Sequence, residues 1–251
     1  MRMYSQSLRS AQNSVRAWLQ DRALKVEDMH VHQWVIITDI KALYRKLVNE
    51  LDAQRNPDWL HDDIAPLHFS RLSGMDFTIV MAMPSGSAFS AELEELAVLG
   101  ARQFIGIFDA IGVGIGSGKL VHVENVLCSD GVSLRYSMGH TEINASYRLS
   151  KFIHALLNME EIKYGEARAG GIDTPYLITG NDLNYMERNG IHVLSSNISV
   201  LYSFCYYAGL ECCALGIVSE DLKLKPRIPC DKIYTEITSM LKKHILELAL
   251  L

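Results

Sequence analysis

What this sequence lacks narrows its function before any motif is weighed. Nowhere in its 251 residues do more than two lysines or arginines stand side by side, and the formal net charge is -5. Without a basic face there is nothing to neutralise a phosphate backbone or an anionic bilayer. No apolar run approaches the roughly 18 residues of a membrane-crossing helix, and the opening MRMYSQSLRSAQNSVRAWLQ has no apolar stretch of the kind a secretory leader carries. The five cysteines (Cys128, Cys205, Cys212, Cys213, Cys230) form no CxxC pair and no zinc-like spacing with histidine. An odd number of cysteines, set mostly in apolar runs, reads as reduced thiols packed as small hydrophobes. The expectation is a cytoplasmic protein with no metal, no cofactor, no nucleic acid and no membrane among its partners.

What is present is ordinary for a globular enzyme or binding protein: 49% hydrophobic and 21% charged residues, enough for a sizeable core. Leu8, Ala11, Val15, Trp18 and Leu19 recur at helical spacing, which predicts an amphipathic helix over 5–24 and an N-terminal helical extension over residues 1–30. Its stripe of Val15, Trp18 and Leu19 is a candidate surface for self-assembly. From 31 to 251 short apolar runs alternate with helical patterns. WVIITDI (34–40), DFTIVMAM (76–83), QFIGIFDAI (103–111), KLVHVENVL (119–127) and ECCALGIVS (211–219) read as strands buried on both faces. SAELEELAVLG (90–100), EINASYRLSKFIHALLNM (142–159), SVLYSFCYYAGL (199–210) and CDKIYTEITSMLKKHILELALL (230–251) read as helices. This alternation predicts an α/β fold.

One stretch, AIGVGIGSGKLVHV (110–123), has the texture of a phosphate loop: glycines at 112, 114, 116 and 118, then Lys119. The spacing argues otherwise. A P-loop needs glycine five residues before the Gly-Lys pair and Ser or Thr after it, where this chain has Val113 and Leu120. A strand rather than a helix follows, which also fits a dinucleotide fingerprint badly. The glycines therefore read as a turn, where they supply φ > 0 at little steric cost.

From about Val35 onward the order of elements and the local wording resemble the nucleoside phosphorylase family, in particular uridine phosphorylases and their purine relatives. The resemblance is carried by AELEELAVLGARQFIGI, by GLECCALGIVSEDL, and by DTPY (173–176), which is similar to the Asp-x-Phe-Tyr of the family's base-binding segment. It implies a single-domain three-layer α/β/α fold with a central mixed, partly barrel-like sheet, a small-molecule ligand, and a homodimer or a hexamer built from dimers.

Under this resemblance several functional positions are rewritten. The family's phosphate loop corresponds to AMPSGSAF (82–89), leaving Ser85, Gly86 and Ser87 as donors, with Ala88 and Phe89 where hydroxyls are usual. The arginine that grips phosphate corresponds to Gly106, and the hydroxyl-rich turn after it to Phe108, Asp109 and Ala110. A carboxylate at 109 repels an anion. The Glu-Met-Glu that holds ribose corresponds to Ser195, Ser196 and Asn197, of which Asn197 still offers an amide to a diol. The late Val-Ser-Asp corresponds to Ser219, Glu220 and Asp221, with Glu220 either a general acid or a solvated residue after a strand. Asp173 and Tyr176 keep the wording of the base-binding segment, although Pro175 replaces its Phe. In some relatives a histidine from the N-terminal region reaches a neighbouring subunit's site, which makes His30 and His32 candidates for a contribution in trans; a metal at this pair lacks a third ligand.

Two function classes stand. One is a repurposed enzyme, hydrolase, lyase or isomerase-like, acting on a nucleoside-like or other small polar substrate without phosphate, with Asp109, Asp173 or Glu220 as acid or base. The other is a catalytically silent member that binds a ligand or a partner. A conventional phosphorylase or nucleosidase comes third. For Asp109 the alternative to chemistry is a turn residue that caps nearby amides.

Overall fold

Strand residues that alternate between two apolar faces need a helical layer on each, and the sequence supplies both. The computed structural model describes residues 4–25, 29, 31–223 and 228–248. Its central strands are β1 (Trp34–Thr38), β4 (Met75–Met81), β5 (Gln103–Gly112), β6 (Lys119–Leu127) and β10 (Glu211–Asp221), with β2 (Gln54–Arg55), β3 (Leu67–Leu72), β7 (Glu142–Asn144), β8 (Gly165–Gly170) and β9 (Val193–Leu194) completing the sheet. On β1, Val35 and Ile37 face one side while Trp34 and Ile36 face the other. The first side is covered by α1 (Tyr4–Asp21), α3 (Gly86–Leu99), the short α4 (Gly131–Tyr136) and α7 (Ser196–Ala208), the second by α2 (Lys41–Glu50), α5 (Tyr147–Met159) and α8 (Asp231–Leu248), while α6 (Gly180–Arg188) packs Met186 on a small cluster with Ile191 and Leu194. This is the three-layer α/β/α arrangement that the resemblance implied.

The sheet is mixed and partly closed. β5 pairs with both β9 and β10, and the path β10-β6-β8-β9-β5 returns to β10, a ring of five strands. The open arm β5-β1-β4-β3-β2 extends from it. β1, β4, β5 and β10 run parallel, so their carboxyl ends share one edge. α7 lies close on β5 because Gly106 has no side chain: a Cβ there would stand 2.3 Å from the Phe108 ring and 2.8 Å from Leu201 Cδ2. Gly209 ends α7 in the left-handed conformation at φ 65°.

Two readings of the sequence change. The helix expected over 142–159 begins at Tyr147; Glu142–Asn144 instead pair antiparallel with β6, placing Ile143 in the core. The apolar stripe of α1 is covered by its own chain: Ala11, Val15 and Leu19 are buried, and Arg22 stacks 4.6 Å from the Trp18 ring. Val15 and Leu19 of the expected stripe are thus part of the main core, while Trp18 is half-buried against it. No helix among the described residues is long and apolar enough to cross a membrane.

Candidate functional site

The shared carboxyl edge of the parallel strands brings together residues far apart in sequence. β1 ends at Thr38, whose Oγ1 accepts the Ile40 N–H at 3.1 Å and turns the chain toward α2. This leaves Asp39 beside β5, between that strand and the start of α7. Asp39 Oδ1 accepts the Asp109 backbone N–H at 2.8 Å, and Asp39 Oδ2 accepts from Asn197 Nδ2 at 2.8 Å. Asp39 was not singled out in the sequence; a lone aspartate after an apolar strand gives no signal of its own. Burial, set against those two hydrogen bonds and reinforced by the nearby Asp109 charge, pushes its pKa up to about 7.

A cleft of about 520 Å³ opens over this pair. It is lined by Asp39 and Asp109, by Ser85, Gly86 and Ser87 at the start of α3, and by Asp173 and Ser195 to Asn197 at the start of α7. Ser85 caps α3 by accepting the Ala88 N–H, and Ser195 caps α7 by accepting from Ile198. Two helix N-termini thus face carboxylates, a favourable arrangement for negative charge. The loop before α3 is anchored by Glu92, fully buried, which accepts the Met83 N–H at 2.9 Å and whose pKa burial raises strongly. Among the described residues lining this lobe are three carboxylates and no lysine or arginine.

Of the other residues picked out in the sequence, Ser219 lines a second lobe that also touches Asp39 and Asp109. Asp173 is exposed and accepts the Gly131 N–H at 2.9 Å; Ser196 Oγ donates to the Ile172 carbonyl. Phe108 is fully buried and packs edge-to-face on Phe89, behind the cleft rather than in it. Tyr176 is 98% exposed and outside the lining of both lobes. Glu220 is exposed and also outside them. His32 stands before the amino end of β1, opposite the cleft, with its ring on Phe69 and its N–H donated to Thr78 Oγ1 at 3.1 Å; His30 lies outside the described residues. Among the described residues no group of three His, Cys, Asp or Glu is placed to hold a metal ion.

The glycine-rich stretch has its own anion. Asp221 Oδ2 accepts the N–H groups of Gly114, Ile115 and Gly116 at 2.9, 3.0 and 2.9 Å, while its Oδ1 accepts the Lys223 backbone N–H at 2.8 Å. Gly114, Gly116 and Gly118 take positive φ, and a Cβ on Gly112 would lie 2.5 Å from the Asp221 carboxylate. The turn is a backbone nest of the kind that binds anions, closed by a side chain of the same chain. Asp221→Asn removes the charge from these bonds and is expected to lower unfolding free energy by about 2 kcal/mol, as measured by urea denaturation; an unchanged midpoint contradicts the latch.

No family model and no curated protein sequence matches this chain. Its fold does match solved structures, among them purine nucleoside phosphorylase from Toxoplasma gondii in complex with immucillin-H, with a TM-score of 0.74 at 14% identity over 88% of this chain and 92% of that one. The chain therefore has a nucleoside phosphorylase-like fold.

Proposed function

We propose that the protein is an enzyme that hydrolyses a nucleoside-like, uncharged polyhydroxylated substrate without using phosphate. The observation that carries this reading is the Asp39–Asp109 pair at the base of a serine-lined cleft, at the edge where open α/β sheets bind ligands. The structural neighbour's complex with immucillin-H supports a small-molecule ligand. Three carboxylates in the lobe disfavour an anionic co-substrate.

In this reading Asp39, protonated below about pH 7, donates its proton to the leaving group as the bond to it breaks. Asp109 accepts a proton from the attacking water. Ser195, Ser196 and Asn197 orient the polyol, and Asp173 with Ser85 and Ser87 bounds its far side. A second reading, a silent ligand-binding member, is favoured by one observation: both Asp39 oxygens already accept hydrogen bonds from the protein. Each oxygen retains a second lone pair, so proton donation is compatible with those bonds.

Turnover of inosine, adenosine or uridine separates these readings. Hydrolysis at the same rate with and without phosphate is expected; phosphate-dependent cleavage at about 1–1000 per second overturns the reading, and no cleavage of any nucleoside favours the silent one. The pH profile is a further test. Because the proton donor has a raised pKa, the rate falls as pH rises through about 7. Asn197→Ala removes a hydrogen bond that favours ionised Asp39, so the alkaline limb moves to higher pH. The same shift makes the folded state hold a proton that the unfolded chain releases, so its contribution to stability declines from the ordinary carboxylate range up to about pH 7.

A further inference from the structure

We propose that a groove between β6, β8 and the amino end of α8, separate from the cleft, binds an amphipathic anion: an apolar ring system bearing one carboxylate, sulfonate or phosphate group. The proposal is independent of the function argued above.

The glycine-rich turn leads to this groove. Its N–H groups at 114 to 116 are already taken by Asp221, so the turn itself holds no further anion. It does place a cation. The Gly118 N–H donates to the Val218 carbonyl at 2.7 Å, which sets Lys119, exposed, at the first position of β6. β8 runs parallel to β6 with Val121 opposite Gly165, and this register brings Lys163 and Tyr164 alongside. Lys232, Ile233 and Glu236 of α8 close the third side. The enclosed space is about 560 Å³, within the range of about 300–1,000 Å³ that holds a small organic ligand. None of its lining residues borders either lobe over Asp39, and Asp231 and Tyr234 from the same end of α8 line the cleft instead.

The floor is apolar and the rim is charged. Leu120 and Val121 are buried at its base, with Ile115 and Ile233 beside them. The half-buried Tyr164 ring is steadied by His154, edge-on at 5.2 Å, and by its hydroxyl, which donates to Asn158 Oδ1 at 3.3 Å. A flat apolar body covers such a floor. Around it stand three lysines and three glutamates, but they are not equally engaged. Glu236 lies 3.6 Å from Lys232, and Glu166 lies 3.9 Å from His154 Nδ1. Among the described residues Lys119, Lys163 and Glu161 have no ion-pair partner, which leaves two ammonium groups against one carboxylate. An anionic group gains charge-assisted hydrogen bonds from lysines whose flexible stems can reach it. A cation meets the surplus of like charge.

Fluorescence titration with 8-anilinonaphthalene-1-sulfonate, and with the uncharged N-phenyl-1-naphthylamine, tests this. The wild-type protein is expected to bind one equivalent of the sulfonate, at least about tenfold more tightly than the uncharged dye. The double variant Lys119→Gln/Lys163→Gln removes that difference. Lys41→Gln, which neutralises the lysine lining the second lobe of the cleft, keeps it. The proposal is overturned by no saturable binding of the sulfonate, by equal affinities of the two dyes for the wild type, or by a preference that survives the double variant or is lost with Lys41. Should more than one equivalent bind, a crystal structure of the wild type with the sulfonate decides. Rings over Leu120 and Tyr164 with the sulfonate at Lys119 or Lys163 support the proposal, and dye found only elsewhere overturns it.

Discussion

Asp109→Asn is expected to lower turnover by about a hundred- to ten-thousand-fold while leaving the unfolding free energy nearly unchanged. The substitution is close to isosteric. Asparagine retains the oxygen that accepts the Ala110 N–H at 3.1 Å, and the backbone N–H that Asp109 donates to Asp39 does not depend on the side chain. What is lost is the capacity to take a proton from water. Steady-state rates and urea denaturation of the same preparation make the comparison. A variant that loses several kcal/mol of stability with ligand affinity intact identifies Asp109 as a turn residue, and the enzymatic reading then loses its base.

Gly106→Ala is expected to destabilise the protein by about 3 kcal/mol, read from the urea midpoint. Phe108 and Leu201 are both fully buried, and a Cβ at 106 would stand 2.3 Å from the first and 2.8 Å from the second. Neither has room to withdraw without disturbing the contact between β5 and α7. That contact sets the start of α7, where Ser195 to Asn197 enter the cleft, so the loss reaches the site as well as the fold. An arginine at this position has still less room, so Gly106→Arg is expected to prevent folding rather than to create phosphate binding. A variant at 106 that folds normally contradicts this packing.

The parts of the fold visible in the sequence are those in which local pattern and burial coincide. β1, β5, β6 and β10 stand out as apolar runs because both faces are covered by helices. β8, GEARAG, has no such run; it is a strand because β6 and β9 pair with its two edges, a tertiary circumstance. The helix expected from residue 142 starts five residues later because Ile143 alternates into the core from an extended chain.

The site divides in the same way. Ser85 to Ser87, Asp109, Asp173 and Ser195 to Asn197 were found through resemblance, and the fold places all of them along one cleft. Asp39 was invisible, since its surroundings come from Asp109 and from Asn197, 70 and 158 residues further along the chain. The glycines before Lys119 read correctly as a turn. Their partner did not, because Asp221 reaches them from the end of β10. Glu220, its neighbour, is exposed and outside both lobes, just past an irregularity between Val218 and Glu220 that breaks the alternation of β10.

The most direct test of the carboxylate pair as the working centre is a crystal structure of the Asp109→Asn variant soaked with inosine. The ribose is expected in the serine-lined lobe within hydrogen-bond reach of Ser195 or Asn197, with the glycosidic bond over Asp39. Inosine seated elsewhere, for example in the groove between Lys119, Lys163 and Lys232 on the far side of β6, with the cleft over Asp39 left open, contradicts the account.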